Sequence, residues 1–156
     1  MDAGEEPTRA LSFLTPEQAT RLGGLPAEAV VGVFLGDAVN VQQFQPNRVF
    51  VDFMHDVIRR RGPEDPSLRA AAAEQGEGWL YVIDQRTPEG PQGRVPPEDI
   101  IGGFKVEHGH VVAECYWANE HHRVFTHNGI VRLPPSLHEA LLRELERRKG
   151  RVRDDG

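Results

Sequence analysis

The last third of the chain is rich in side chains that can bind a metal ion. Six of the seven histidines follow residue 100, and the segment ECYWANEHHRVFTH adds a cysteine and two glutamates to them. Imidazole, thiolate and carboxylate groups are the ligands that Zn²⁺ prefers. The residue types therefore suggest a zinc site, and its candidate ligands are His110, His121, His122 and Cys115.

The spacing of these residues does not match a known metal-binding motif. His121 and His122 are adjacent, so in a strand their side chains would point to opposite faces of the sheet. No two histidines are four residues apart, and the single cysteine excludes a Cys-x-x-Cys pair. Exposed histidines in turns and strands would give the same pattern. A small metal-binding protein or metal-dependent hydrolase is therefore the alternative to a protein without a cofactor.

The chain lacks the common signatures of catalysis and nucleotide binding. It contains no Gly-x-Ser-x-Gly, no Walker loop and no dinucleotide-binding fingerprint. The acidic pairs Glu64-Asp65 and Glu98-Asp99 are expected in turns or helix caps. The sequence therefore favours a non-enzymatic protein over an enzyme, and we assign no catalytic residue.

Aromatic and polar residues near residue 120 form the candidate binding surface. Tyr116 and Trp117 are adjacent in a predicted strand, so one side chain should face the core and the other the solvent. An exposed tryptophan is a typical hot spot of a protein interface. The predicted binding residues are Trp117, Asn119, Tyr116, His122 and Arg123.

Composition and charge narrow the class of protein. The 156 residues carry a formal net charge of −6, and the one basic run, Arg143–Arg153, closes a predicted helix and contains glutamates. We therefore expect no binding to nucleic acid. The single cysteine cannot form an intrachain disulfide, and no apolar run approaches the roughly 20 residues that span a bilayer. The first residues lack the pattern of a signal peptide. We expect a cytoplasmic protein without membrane insertion.

Capping and turn residues divide the chain into helices and strands. Thr15 and Gln18 predict a capping box for a short helix over Pro16–Arg21. Asn47 is expected to cap the clearest helix, which ends at Gly62 and has the apolar face Val49, Phe50, Phe53, Val57 and Ile58. The other predicted elements are strands at Ala29–Leu35 and Val39–Phe44 around a turn at Gly36-Asp37, an Ala-rich helix that ends at Gly76, a buried strand at Gly78–Arg86, a hairpin that turns near His108-Gly109, short strands around Asn128-Gly129, and a last helix capped by Ser136.

Two segments of the chain are nearly the same. LPAEAVVGVF, residues 25–34, aligns without a gap to VPPEDIIGGF, residues 95–104, and the similarity continues into the next strand. Each copy has a proline where the strand begins, β-branched residues that suit a covered strand, and a glycine against which a bulky side chain can lie. The pattern predicts an internal duplication over 25–62 and 95–149.

The expected fold class is therefore α+β. We expect a mixed or antiparallel sheet built from two similar hairpin-plus-helix units, with the helices packed on the sheet. A single domain would cover residues 16–150, between flexible tails at 1–15 and 151–156.

The second copy and the segment before it resemble a known family. LRAAAAEQGEGWLYVIDQ, a loop rich in proline and glycine, PPEDIIGGFKVEHGHVV and NEHHRV together resemble the actinobacterial type VII secretion system-associated family. The resemblance extends from Leu68 to Arg123, and the matching positions are Trp79, Asp84, Pro96, Pro97, Ile100, Ile101, Gly102, Phe104, Gly109, Asn119 and Arg123. It implies an accessory role near a secretion machine and assigns no catalytic residue.

These observations lead to one main functional prediction. We expect a non-enzymatic bacterial interaction protein, either an accessory factor of a type VII secretion system or an immunity-type binder. Its partner would be a protein, with a homodimer as one form, and it would need no cofactor. The zinc-dependent alternative uses the late histidines, and a small-molecule binder between the two halves is a third reading.

Overall fold

The computed structural model describes residues 8–35, 41–86 and 96–155, and it shows the predicted α+β class with antiparallel sheets. The helices are α1 (Pro16–Arg21), α2 (Arg48–Arg61), α3 (Pro66–Gln75) and α4 (Pro135–Asp155). The strands are β1 (Thr8–Ser12), β2 (Val30–Leu35), β3 (Phe44–Pro46), β4 (Gly78–Ile83), β5 (Ile100–Glu107), β6 (His110–Ala118), β7 (Phe125–Thr126) and β8 (Gly129–Ile130). In this part of the chain, no helix is both long and apolar enough to cross a bilayer.

The strands form two three-stranded sheets and one two-stranded ribbon. The sheets have the orders β1-β2-β3 and β4-β5-β6, and the ribbon pairs β7 with β8. All neighbouring strands are antiparallel. Two separate sheets therefore replace the expected common sheet.

The core lies between the helices and the inner faces of the sheets. Phe50, Met54 and Val57 of α2 are buried, and Ile101 of β5 and Leu141 of α4 belong to the same apolar cluster. The predicted apolar face of α2 is correct except at Val49, which is 48% exposed. Met54 is buried instead because it lies four residues after Phe50, on the same side of the helix.

The structure corrects two predicted boundaries. Part of the expected N-terminal tail forms β1, which pairs with β2, and its five residues are too few and too polar to signal a strand in the sequence. The expected strand Val39–Phe44 is wrong, since Val41–Gln43 is a 3-10 turn and β3 follows it. The predicted turn at Gly36-Asp37 lies outside the described residues.

The C-terminal helix also differs from the prediction. α4 begins at Pro135, so Ser136 lies inside the helix and is not its cap. The backbone stays helical to Asp155, which corrects most of the expected flexible tail at 151–156.

Corresponding residues of the two sheets make the same hydrogen bonds. The Asn47 side chain donates to the carbonyls of Ala27 and Val30 at 2.9 Å each. The Asn119 side chain donates to the carbonyls of Pro97 and Ile100 at 2.9 and 2.8 Å. Both asparagines follow a strand that pairs with the central strand of its sheet. The geometry is locally alike, and internal duplication stays a prediction.

Candidate functional site

A close approach between a glycine and a tyrosine shapes the site. A Cβ atom on Gly102 would lie 2.4 Å from the Tyr116 hydroxyl oxygen and 2.5 Å from the Trp117 carbonyl oxygen. Only glycine therefore allows the phenol ring to lie across β5. In the other sheet, Gly32 gives the same room to the ring of Phe44. The expectation that each glycine accommodates a bulky side chain is correct.

The phenol of Tyr116 makes a hydrogen bond to a histidine of α2. His55 Nδ1 lies 2.7 Å from the Tyr116 hydroxyl oxygen. Burial, with a smaller contribution from His122, lowers the pKa of His55 to about 4. Burial also raises the pKa of Tyr116. Both groups are therefore uncharged at neutral pH, and one of them donates the hydrogen bond to the other.

A second histidine is held by a buried carboxylate. His122 Nε2 lies 3.0 Å from Asp84 Oδ2, and both side chains are almost fully buried. Asp84 Oδ1 accepts hydrogen bonds from the backbone amides of Arg86 and Arg132 at 3.1 and 3.0 Å. The carboxylate can only accept, so Nε2 of His122 carries a proton and donates it.

Arg86 joins this carboxylate to a second one. Its guanidinium lies 3.4 Å from Asp84 Oδ2 and 3.0 Å from Asp99 Oδ1. It also donates to the backbone carbonyls of Glu98, Arg123 and Gly129. Because its side chain is 3% exposed, a buried cation compensates two buried carboxylates and fixes the segment that carries His122.

Both histidines line a cleft of about 780 Å³. Residues of β3 and α2 form one side of the cleft, and β6 with the segment after it forms the other. Phe44 and Phe125 line it with their ring centroids 5.2 Å apart. The cleft therefore combines an aromatic part with imidazole, phenol, guanidinium and carboxylate groups.

The structure brings four of the five predicted binding residues to this cleft. Tyr116, Asn119, His122 and Arg123 line it. The Asn119 amide is used within the fold, because it also accepts a hydrogen bond from the backbone amide of His121. Trp117 is not among the lining residues of the cleft.

Trp117 instead belongs to an exposed aromatic face. Tyr81 of β4 and Trp117 of β6 both pair with Gly103 of β5, so their side chains share one side of the sheet. Their ring centroids are 6.2 Å apart. Trp79 lies two residues before Tyr81 on the same side, and the three side chains are 44%, 46% and 43% exposed in the order Trp79, Tyr81, Trp117. The strand Gly78–Arg86 was expected to be buried, and this expectation is wrong for its two aromatic residues, because nothing in the described structure covers this side of β4.

The candidate zinc ligands do not come together. His110 begins β6 opposite Glu107, His121 is exposed beside Glu120, and His122 is bound to Asp84. Cys115 lies further along β6 and is half-buried. Among the residues that the structure describes, no group of three histidine, cysteine or acidic side chains is arranged to hold a metal ion. These residues give the zinc reading no geometric support.

Several site residues were missed at the level of sequence. His55 was the one histidine outside the late cluster, and the prediction gave it no role. Asp84 was noted for its family match and Asp99 as part of an acidic pair in a turn. Charged residues that directly follow or precede an apolar strand, as Asp84, Arg86 and Asp99 do, could have signalled a buried ionic network.

We compared the chain with known proteins and found no match. No family model, no curated protein and no solved structure matches this chain.

Proposed function

We propose that the chain is a non-enzymatic interaction protein that binds other protein surfaces through its exposed aromatic face. This face consists of Trp79, Tyr81 and Trp117 on the outer side of β4-β5-β6. The observation that supports the proposal is the exposure of three large aromatic side chains on one side of the same sheet.

Such a face is suited to docking. Tryptophan and tyrosine are the residues most enriched at interface hot spots, because each buries a large area and loses little conformational freedom. Gly103 lies between Tyr81 and Trp117 and is itself buried. A Cβ atom on it would lie 3.0 Å from Tyr81 Cδ1, so the missing side chain lets the Tyr81 ring lie close against the sheet.

A second copy of the chain is the occupant that we propose first. Lys105 and Glu107 of β5 form an exposed pair, with the Lys105 ammonium nitrogen 3.1 Å from Glu107 Oε1. Lys105 is paired in register with Trp79. A surface with an aromatic centre and both signs of charge is self-complementary, since the ion pairs can form between copies related by a two-fold axis. Exposed apolar area of this kind is typical of interaction sites.

We also propose a role beside a secretion system and an internal duplication of the chain. The resemblance over Leu68–Arg123 supports an accessory role beside a type VII secretion system. Four of its matching positions, Asp84, Gly102, Asn119 and Arg123, shape or line the cleft. The matching hydrogen bonds of Asn47 and Asn119 support two similar units within the chain.

Solution mass is the first test. Sedimentation velocity across micromolar concentrations should show a monomer–dimer equilibrium for the wild-type chain. The double variant Trp79→Ser/Trp117→Ser should sediment as a monomer. Val49→Ser is the matched control, because Val49 is equally exposed but lies on α2, and it should dimerise like the wild type.

Affinity capture then separates the remaining outcomes. One outcome is a monomeric wild type that captures the same protein as the Val49→Ser variant, while the double variant captures none. This result would support protein binding through the aromatic face and refute a second copy of the chain as the partner. A monomeric wild type with no such difference in capture would overturn the proposed function.

A further inference from the structure

The cleft lies between equivalent positions of the two sheets. Phe44 and Pro46 of β3 line one side of it, and Tyr116 and Ala118 of β6 line the other. Phe44 and Tyr116 are the two residues whose rings lie over Gly32 and Gly102. The cleft is therefore built by the most constrained parts of both sheets, which is a favourable place for a preformed ligand site.

One end of the cleft is aromatic and apolar. The rings of Phe44 and Phe125 are inclined by 40° with centroids 5.2 Å apart. Phe34 packs edge-on against both of them from behind, at 5.3 and 5.2 Å. Three mutually packed rings fix the position of this wall, which can accept the edge or face of another ring.

Arg123 brings a guanidinium to the cleft, which the carboxylates of Asp52, Asp56 and Glu120 also line. The Glu120 carboxylate lies 3.9 Å from His121 Nε2. The other cleft arginines, Arg48 and Arg59, form ion pairs with Asp52 and Asp56 at 3.2 and 2.6 Å. Among the described side chains, none forms an ion pair with the Arg123 guanidinium. Its backbone is fixed, because its amide donates to the Glu98 carbonyl at 3.2 Å and its carbonyl accepts from Arg86.

His122, the residue before Arg123, adds a hydrogen-bond acceptor to the cleft. Its Nε2 donates to Asp84, so in the neutral ring the proton is on Nε2 and Nδ1 carries a lone pair. The structure describes no other hydrogen bond of this ring and no buried side-chain polar atom without a partner. His122 lines the cleft with a side chain that is 2% exposed, so Nδ1 is the ring nitrogen left for a ligand, and only a ligand seated deep in the cleft reaches it.

We propose that the cleft binds a small hydroxycarboxylate whose body is an aromatic or other apolar group. The carboxylate would pair with Arg123, the hydroxyl would donate to Nδ1 of His122, and the body would lie against Phe44 and Phe125. Each part of the ligand then matches a different chemistry of the cleft, and its negative charge meets the Arg123 guanidinium, which forms no ion pair with the described side chains.

Three related probes test each part of this assignment. Mandelate carries a phenyl ring, a hydroxyl and a carboxylate, phenylacetate lacks the hydroxyl, and mandelamide lacks the charge. Titration followed by NMR should move the imidazole signals of His55 and His122 with mandelate at millimolar concentrations or below. We expect mandelamide to bind at least about tenfold more weakly and phenylacetate several-fold more weakly, as the loss of a charged and of a neutral hydrogen bond implies.

Variants locate the site. Arg123→Gln should weaken mandelate binding about tenfold and leave mandelamide binding unchanged. Arg48→Gln is the matched control, because Arg48 lines the same cleft but is paired with Asp52, and it should change the affinity less than about twofold. The proposal is overturned if mandelate does not move the histidine signals, if mandelamide binds as tightly as mandelate, or if the two arginine variants behave alike.

The ligand site and the protein-binding face are separable. Trp117→Ser should leave mandelate affinity unchanged, and Arg123→Gln should leave the sedimentation behaviour unchanged. Failure of one proposal therefore leaves the other standing.

Discussion

Acidification tests the burial of His55 at the wall of the cleft. The folded protein holds the pKa of this imidazole at about 4, mainly because burial penalises the charged form, whereas the ordinary value is 6.5. As pH falls below 6.5, the unfolded chain takes up a proton at His55 and the folded protein does not. Unfolding therefore becomes more favourable between pH 6.5 and 4, and this part of the stability is fully present only above that window.

The size of the effect follows from the two pKa values. Their difference sets the largest loss of unfolding free energy that protonation of His55 can cause, roughly 3 kcal/mol. About 2 kcal/mol of this should be lost by pH 5. The proper comparison is with His55→Gln, whose amide can still make a hydrogen bond to Tyr116 and does not titrate. Other groups with shifted pKa values, such as the partly buried His138, contribute equally to both proteins and cancel in the difference.

The assay is urea unfolding of both proteins at pH 7.5, 6 and 5. The wild type should lose about 2 kcal/mol more than His55→Gln between pH 7.5 and 5. If both proteins lose the same stability, the pKa of His55 is the same in the folded and the unfolded state. This result would contradict the burial of His55 against Tyr116.

Four further substitutions test the packing, the ionic network and the hydrogen bond of Tyr116. Gly102→Ala should cost about 3 kcal/mol or more, because the added carbon would meet both the Tyr116 hydroxyl and a backbone carbonyl; Gly32→Ala should cost a similar amount in urea unfolding, and a neutral result at either position would contradict the close approach. Arg86→Met should lower the free energy of unfolding by roughly 3–5 kcal/mol, since two buried carboxylates lose their cation. The control is Arg61→Met, which removes an exposed ion pair and should change the stability by less than about 1 kcal/mol in the same assay. Equal effects of the two substitutions would contradict the network. Tyr116→Phe should cost about 1 kcal/mol through the lost hydrogen bond to His55, and thermal melting that shows no loss would refute that bond.

Local signals in the sequence predicted much of the fold. The capping box of Thr15 and Gln18 and the Asn47 cap are present as expected. The alternation of Tyr116 and Trp117 correctly placed one ring inside and one outside. Each of these features depends on residues close together in the chain, which is why the sequence alone could indicate them.

The ionic network could not be predicted in the same way. Its members Asp84, Asp99 and His122 are brought together by sheet pairing and by turns between distant segments. Gly62 gives another example. It caps the end of α2 as expected, but the reason for a glycine there lies in packing against a distant residue. Its φ angle is −55°, and glycine is needed there because a Cβ atom would lie 2.5 Å from the ring of Phe104.

The exposed face was missed for a related reason. GWLYVI has the composition of a buried strand, and only the tertiary structure shows that one side of β4-β5-β6 is uncovered in the described part of the chain. Apolar content predicts a strand but does not tell whether one or both of its faces are covered.

Tryptophan fluorescence tests the proposed protein-binding face most directly. The chain has two tryptophans, and both lie on that face, so the emission reports on it without any substitution. If copies associate through the face, raising the protein concentration should shift the emission to shorter wavelength and reduce quenching by acrylamide in parallel with the increase in sedimenting mass. A mass increase with unchanged emission and quenching would show that association uses another surface and would contradict the central claim.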